Sequence, residues 1–164
     1  MRYALILALS VAMWSAVFVR HVHAGQAAAQ APAASASATA SADKRPTLDY
    51  EFFKTKVQPI FLNKRPGHAR CVSCHSAGTP MRLQPLSPGE TTWNDEESRK
   101  NFDVVRRVAV VPGSAKSMLL IHPLEEAAGG DFFHNGGKHF TSQTDPEWLT
   151  LKAFVMGQTA SGTN

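Results

Sequence analysis

Cys71-Val72-Ser73-Cys74-His75 holds the only two cysteines of the 164-residue chain, three positions apart, with a histidine directly after the second. This is the pattern of c-type haem attachment. Each thiol adds to one vinyl group of the haem, and the adjacent imidazole binds the iron from one face. The stretch therefore predicts one covalent haem c with its iron, held by Cys71 and Cys74 as thioethers and by His75 as proximal ligand. A structural zinc cage needs four ligands, and no second cysteine pair completes one. A thioredoxin-like dithiol is disfavoured because no hydrophobic strand precedes the pair and a histidine follows it. A disulfide between residues so close together is sterically awkward.

Covalent attachment requires export, and the N-terminus agrees with it. Met1-Arg2 is a positive start, Ala4 to Val19 is an apolar run, and Val22-His23-Ala24 offers a small-residue cleavage site. Residues 1–24 read as a signal peptide, with retention as an N-terminal membrane anchor as the alternative. The apolar run is shorter than the span of about 20 residues that crosses a bilayer. The expected location is the periplasm or another exported compartment. Residues 25–46 are dominated by Ala, Ser, Gln, Pro and Thr, a composition that buries too little apolar area to offset ordering, and they read as a flexible linker.

The folded domain is expected over 47–158, with 159–164 as a flexible tail. About 110 residues suffice for one core, especially if haem fills part of it. The chain has 17 basic and 13 acidic residues. Loss of Arg2 and Arg20 with the leader would leave a net charge of about +2, which is no nucleic-acid-binding balance.

Within the domain the pattern is helical. Leu48 to Leu62 places Leu48, Phe52, Val57, Ile60 and Phe61 on one apolar face, with Thr47 as N-cap and a kink at Pro59. Asn63 to Arg70 reads as a loop delivering the chain to Cys71. Gly78, Pro80, Pro85, Pro88 and Gly89 exclude a long helix after His75, and a carbonyl near Pro80 is expected to accept the free N–H of His75. Asn94 or Asp95 caps a helix to about Val108, with Glu96 and Lys100 as an i,i+4 pair. Ser114 caps a short helix carrying Met118, Leu119 and Ile121, with Met118 expected in the core. A glycine-rich loop, Gly129 to Phe140, precedes a last helix opened by a capping box at Thr144 to Glu147 and running to Val155. The fold class expected is all-α, a small helical domain with long haem-wrapping loops.

This order of parts resembles a monohaem cytochrome c domain. More narrowly, Val57-Gln58-Pro59-Ile60-Phe61, Val111-Pro112-Gly113-Ser114 with Ser117-Met118-Leu119-Leu120, and Asp145-Pro146-Glu147-Trp148 leading to Ala153-Phe154-Val155 resemble planctomycete-type cytochrome c domains over roughly Leu48 to Gly157. The resemblance implies a cytochrome c-like fold and a second axial ligand, commonly a methionine in the loop before the last helix. Here that loop has Phe132-Phe133-His134 and no methionine, and Phe154 stands where a tryptophan is common.

His134 is therefore the first candidate for the distal ligand and His139 the alternative, because imidazole is a competent iron ligand and both lie in that loop. His134 also reads as a loop-ordering residue and His139 as a surface one. His122 is a weaker candidate and His68 reads as surface or propionate-facing; an open sixth position is the remaining case. Paired histidine ligands imply a lower potential than His/Met and an iron closed to small ligands. The expected function is periplasmic one-electron transfer between redox partner proteins, not an enzymatic reaction. The alternatives are a haem-based sensor or peroxidase-like enzyme with an open distal site, and a relay module bound to a larger oxidoreductase. Lys64, Arg65, Arg70 and Arg82 read as a solvated cluster or a docking patch for an acidic partner.

Overall fold

The structure, a computed structural model, describes residues 45–162. Its helical segments follow in order as α1 (Tyr50–Phe52), a π-helical turn (Phe53–Val57), α2 (Gln58–Leu62), α3 (Cys71–His75), α4 (Asp95–Val108), α5 (Met118–Ile121), a 3₁₀ turn (Glu126–Ala128) and α6 (Pro146–Val155). No β-strand forms among the described residues; the single extended pairing is an isolated bridge between Leu124 and Phe140. The expected helical class holds. No helix among the described residues is long and apolar enough to cross a membrane. The leader at 1–24 and all but the last two residues of the linker at 25–46 lie outside the described residues.

The first helical stretch begins later than Leu48, because Asp49 rather than Thr47 is its cap: the Asp49 carboxylate accepts from Phe52 N. The kink expected at Pro59 appears as the π turn just before it. Pro59 has no N–H to return to the preceding turn and its ring crowds that turn's carbonyl. The ladder widens upstream, with Gln58 N bonding Phe53 O. The wider turn places Phe52 and Phe53 both in the core, 6% and 0% exposed, so Phe53 is missing from a face drawn with a regular helical period.

Phe53 is the hub of the packing. Its ring lies 5.4 Å from Phe102 of α4 and 5.6 Å from Phe154 of α6, and Phe102 and Phe154 are 6.2 Å apart. Aromatic rings at such separations and tilted angles add attraction beyond their area burial. Of the two caps the sequence offers, Asn94 opens α4, in a reciprocal capping box with Glu97, and the helix carries the expected Lys100–Glu96 pair at 2.7 Å. α5 is capped by position at Ser117, not Ser114; the Ser117 hydroxyl is buried and bonds Val111 and Ser114. α6 is capped by Asp145, not Thr144, through Glu147 N at 2.9 Å and Trp148 N at 3.3 Å.

Trp148, Leu151 and Val155 of α6 are buried as expected, and Trp148 Nε1 donates to Leu120 O at 3.0 Å, tying α6 to α5. Pro46 closes the other end. Gly157 has φ +83°, and a Cβ there would stand 2.4 Å from Pro46 Cβ, so only glycine admits both the turn and the proline.

Candidate functional site

α3 is a single helical turn formed by the Cys-Val-Ser-Cys-His stretch itself. A separation of three puts Cys71 and Cys74 on one side of that turn. Val72 points the other way into the core at 5% exposure and fixes which side the thiols take. Both cysteines line a cavity of about 450 Å³ together with His75, His122, His134 and His139. That volume lies within the roughly 300–1,000 Å³ usual for cofactor sites. Its apolar walls come from Ile60, Phe61, Leu119, Phe140 and Leu151. Every histidine and cysteine singled out from the sequence as a site residue thus meets at one cavity.

Burial pushes the Cys71 thiol up to about 11, so it is held protonated at neutral pH. Cys74 is the exposed member of the pair.

His75 is oriented from behind. Its Nδ1 stands 3.0 Å from Met81 O, and Thr79 Oγ1, itself bonded to Met81 O, lies 3.2 Å from the same nitrogen. A carbonyl only accepts, so Nδ1 carries the proton and Nε2 keeps the lone pair. This is the backing expected near Pro80, one residue further along and with a threonine added. The segment is anchored by Leu83, fully buried, whose N bonds His75 O at 2.7 Å. Gln84 N donates to Asn101 Oδ1 at 2.7 Å, and Trp93 Nε1 to Gln84 O at 2.9 Å. An irregular chain is thereby seated on α4.

Across the cavity, the His134 ring lies 6.2 Å from that of His75, with planes 22° apart. His134 Nδ1 donates to Gly137 O at 2.6 Å, which again leaves Nε2 with a lone pair. Burial holds its imidazolium form below the usual range against the bond to Gly137, and repulsion from His139, His75 and His122 adds to the lowering. A neutral imidazole is the form that ligates a metal.

His139 is placed differently. It is 7% exposed, and both ring nitrogens face carbonyls, Nδ1 that of Gly137 at 3.2 Å and Nε2 that of Ala69 at 3.0 Å. Its ring lies 4.8 Å from that of His68, tilted by 35°. His139 is therefore no surface residue: it pins the loop before Cys71 to the loop before α6. Its nitrogens are turned to the backbone, away from the role of alternative ligand.

Met118, expected in the core, instead lines the cavity at 39% exposure, because Leu119 and Leu120 take the inward face of so short a helix. Arg65 is not part of a free basic patch. It bonds Asp145 and Glu147 at 2.5 Å each and lies over the Phe140 ring at 4.9 Å. Lys64 donates to His68 O at 2.5 Å. Arg70 and Arg82 remain exposed.

The sequence reading missed one polar cluster, made by Lys138, Asp131 and His122. Lys138 Nζ donates to His122 O at 3.0 Å, to Asp131 O, and to Asp131 Oδ1 at 3.1 Å, and the other carboxylate oxygen of Asp131 lies against His122 Nδ1. Its partners are far apart in sequence, so no local pattern marks them. Among the described residues no group of three or more His, Cys, Asp or Glu side chains is arranged to hold a metal ion. The cavity instead offers two thiols on one turn and two imidazole lone pairs. No family model, curated protein or solved structure matches the chain.

Proposed function

We propose that this helical unit is a small cytochrome c-like domain that carries one covalent haem c and transfers single electrons between redox partner proteins in the periplasm. The observation that carries the proposal is the pairing of His75 with His134 over a cavity that also receives both cysteines. Two imidazoles bound through nitrogen from opposite sides of one metal, each at about 2 Å, have ring centres roughly 6 Å apart. The 6.2 Å separation suits that arrangement. Haem needs only two protein ligands for its iron, so a larger cage of side chains is not required.

In this proposal Cys71 and Cys74 would hold the macrocycle, and His75 and His134 would bind its iron. Haem, when bound, supplies the ferrous/ferric couple. The chain supplies the rest: Met81 and Thr79 fix the His75 tautomer, and the apolar walls of α2, α5 and α6 exclude water and so influence the potential. Two nitrogen ligands in place of a nitrogen and a thioether favour the ferric state and a lower potential.

The test is to express the chain in a host with c-type maturation machinery and record mass, absorption and ferric EPR spectra of wild type, His134→Ala and His139→Ala. The expected result is one covalently added haem and a low-spin ferric signal lost in His134→Ala but kept in His139→Ala. Wild type without covalent haem would overturn the proposal. A high-spin wild type that binds carbon monoxide readily would replace the electron carrier with an open-site sensor or peroxidase-like protein.

A further inference from the structure

Residues 131 to 138 form a loop whose two ends are joined by one ammonium group. Lys138 Nζ reaches back to the Asp131 carbonyl and carboxylate and across to the His122 carbonyl at the end of α5. A lysine has three N–H donors, and all three have acceptors here. Its side chain is only 14% exposed, so the charge depends on those partners. The second carboxylate oxygen of Asp131 lies against His122 Nδ1, and Asp131 N donates to Ile121 O at 3.1 Å. The loop is thus fastened at its base to the C-terminal end of α5.

His134 sits near the middle of this loop and makes no ion pair of this kind; its ring lies about 6 Å from those of His75, His122 and His139. Its hydrogen bonds close within its own turn, from Gly137 N to His134 O at 2.9 Å and from His134 Nδ1 to Gly137 O. The neighbouring Phe132 and Phe133 are 85% and 65% exposed and contribute little packing. The position of the imidazole across from His75 is therefore inherited from the loop ends.

We infer that Lys138, through Asp131 and His122, is the positioning group that holds His134 opposite His75 and keeps the sixth iron position closed. The inference rests on the His75/His134 ligation proposed above. Lys138 and Asp131 touch no ligand themselves; they act by fixing both ends of the segment that carries one.

The experiment uses the full chain with covalently attached haem, comparing wild type with Lys138→Met, Lys138→Arg and Asp131→Asn by ferric EPR and by the rate of carbon monoxide binding to the ferrous protein. In Lys138→Met a high-spin component is expected to replace at least half of the low-spin signal, with carbon monoxide binding at least tenfold faster. Lys138→Arg, which retains charge and several donors, is expected to recover most of the low-spin signal. Asp131→Asn, which preserves side-chain shape, serves if Lys138→Met does not fold, and is expected to shift in the same direction. A folded Lys138→Met or Asp131→Asn that stays as low-spin and as closed as wild type, whatever its melting temperature, would overturn the inference while leaving the ligation intact. A wild type lacking haem or already high-spin would instead overturn the ligation.

Discussion

The two loops that face each other across the cavity are held in opposite ways. The stretch from His75 to Trp93 is irregular but seated on the hydrophobic core, with Leu83 fully buried, Trp93 6% exposed and its backbone bonded to the Asn101 side chain of α4. The loop from Asp131 to Lys138 is fastened by polar contacts at its base and exposes two phenylalanines near its tip. One histidine is backed by apolar burial, the other by a charged latch and a self-closed turn. Packing resists displacement in all directions, whereas a latch holds only while its few bonds last. The asymmetry assigns rigidity to the His75 side and adjustability to the His134 side.

Removing the packing that seats the proximal loop should break this contrast most severely. Leu83→Ala deletes a fully buried side chain and is expected to cost about 2–5 kcal/mol in urea unfolding. A cost below about 1 kcal/mol would mean that the loop is not seated on the core as described.

The next effect tests the tie between the approach to Cys71 and α6. Arg65 joins Asp145 and Glu147 with side chains 16–25% exposed, and Arg65→Met is expected to cost about 1–2 kcal/mol at pH 7. Burial opposes ionisation of Asp145, but the Arg65 bond and the Trp148 and Glu147 amides outweigh it and hold its carboxyl below the usual carboxylate range. A carboxyl lowered in the folded state stabilises above its unfolded pKa and loses that contribution as pH falls through the folded value. The difference between variant and wild type should therefore be full at neutral pH and shrink as pH drops below about 4. A difference independent of pH would show that Arg65 acts through its packing on Phe140 alone.

The smallest change sharpens the distal half of the comparison. Phe132→Ser removes a side chain that is 85% exposed and should alter unfolding free energy by less than about 0.5 kcal/mol. A larger loss in the same urea titration would show that the loop tip contributes to folding.

Several features were legible along the chain because their causes are local. A cap at Asn94, the helix it opens with its Glu96–Lys100 pair, and the burial of one face of α6 all depend on spacing that a helix reads directly. The caps at Asp49 and Asp145 were displaced from Thr47 and Thr144 because neighbouring polar residues compete for the same amides, and the choice follows where the chain enters the core. Phe53 was lost from the apolar face because a regular period does not anticipate a π turn. In sequence, His139 stands beside His134 in the same loop as its alternative. Only folding brings Ala69 to its ring and turns both of its nitrogens toward carbonyls.

By itself, the sequence determined the helical class, the grouping of Cys71, Cys74 and His75, and the glycine-rich loop that carries His134 and His139. These follow from residue type and spacing within a few turns of chain. The tertiary structure decided which ring lies 6.2 Å from that of His75, what backs His75, and that Lys138 joins the two ends of the 131–138 loop. Those outcomes depend on contacts between distant segments, which exist only once the core of Phe53, Phe102 and Phe154 has brought the helices together.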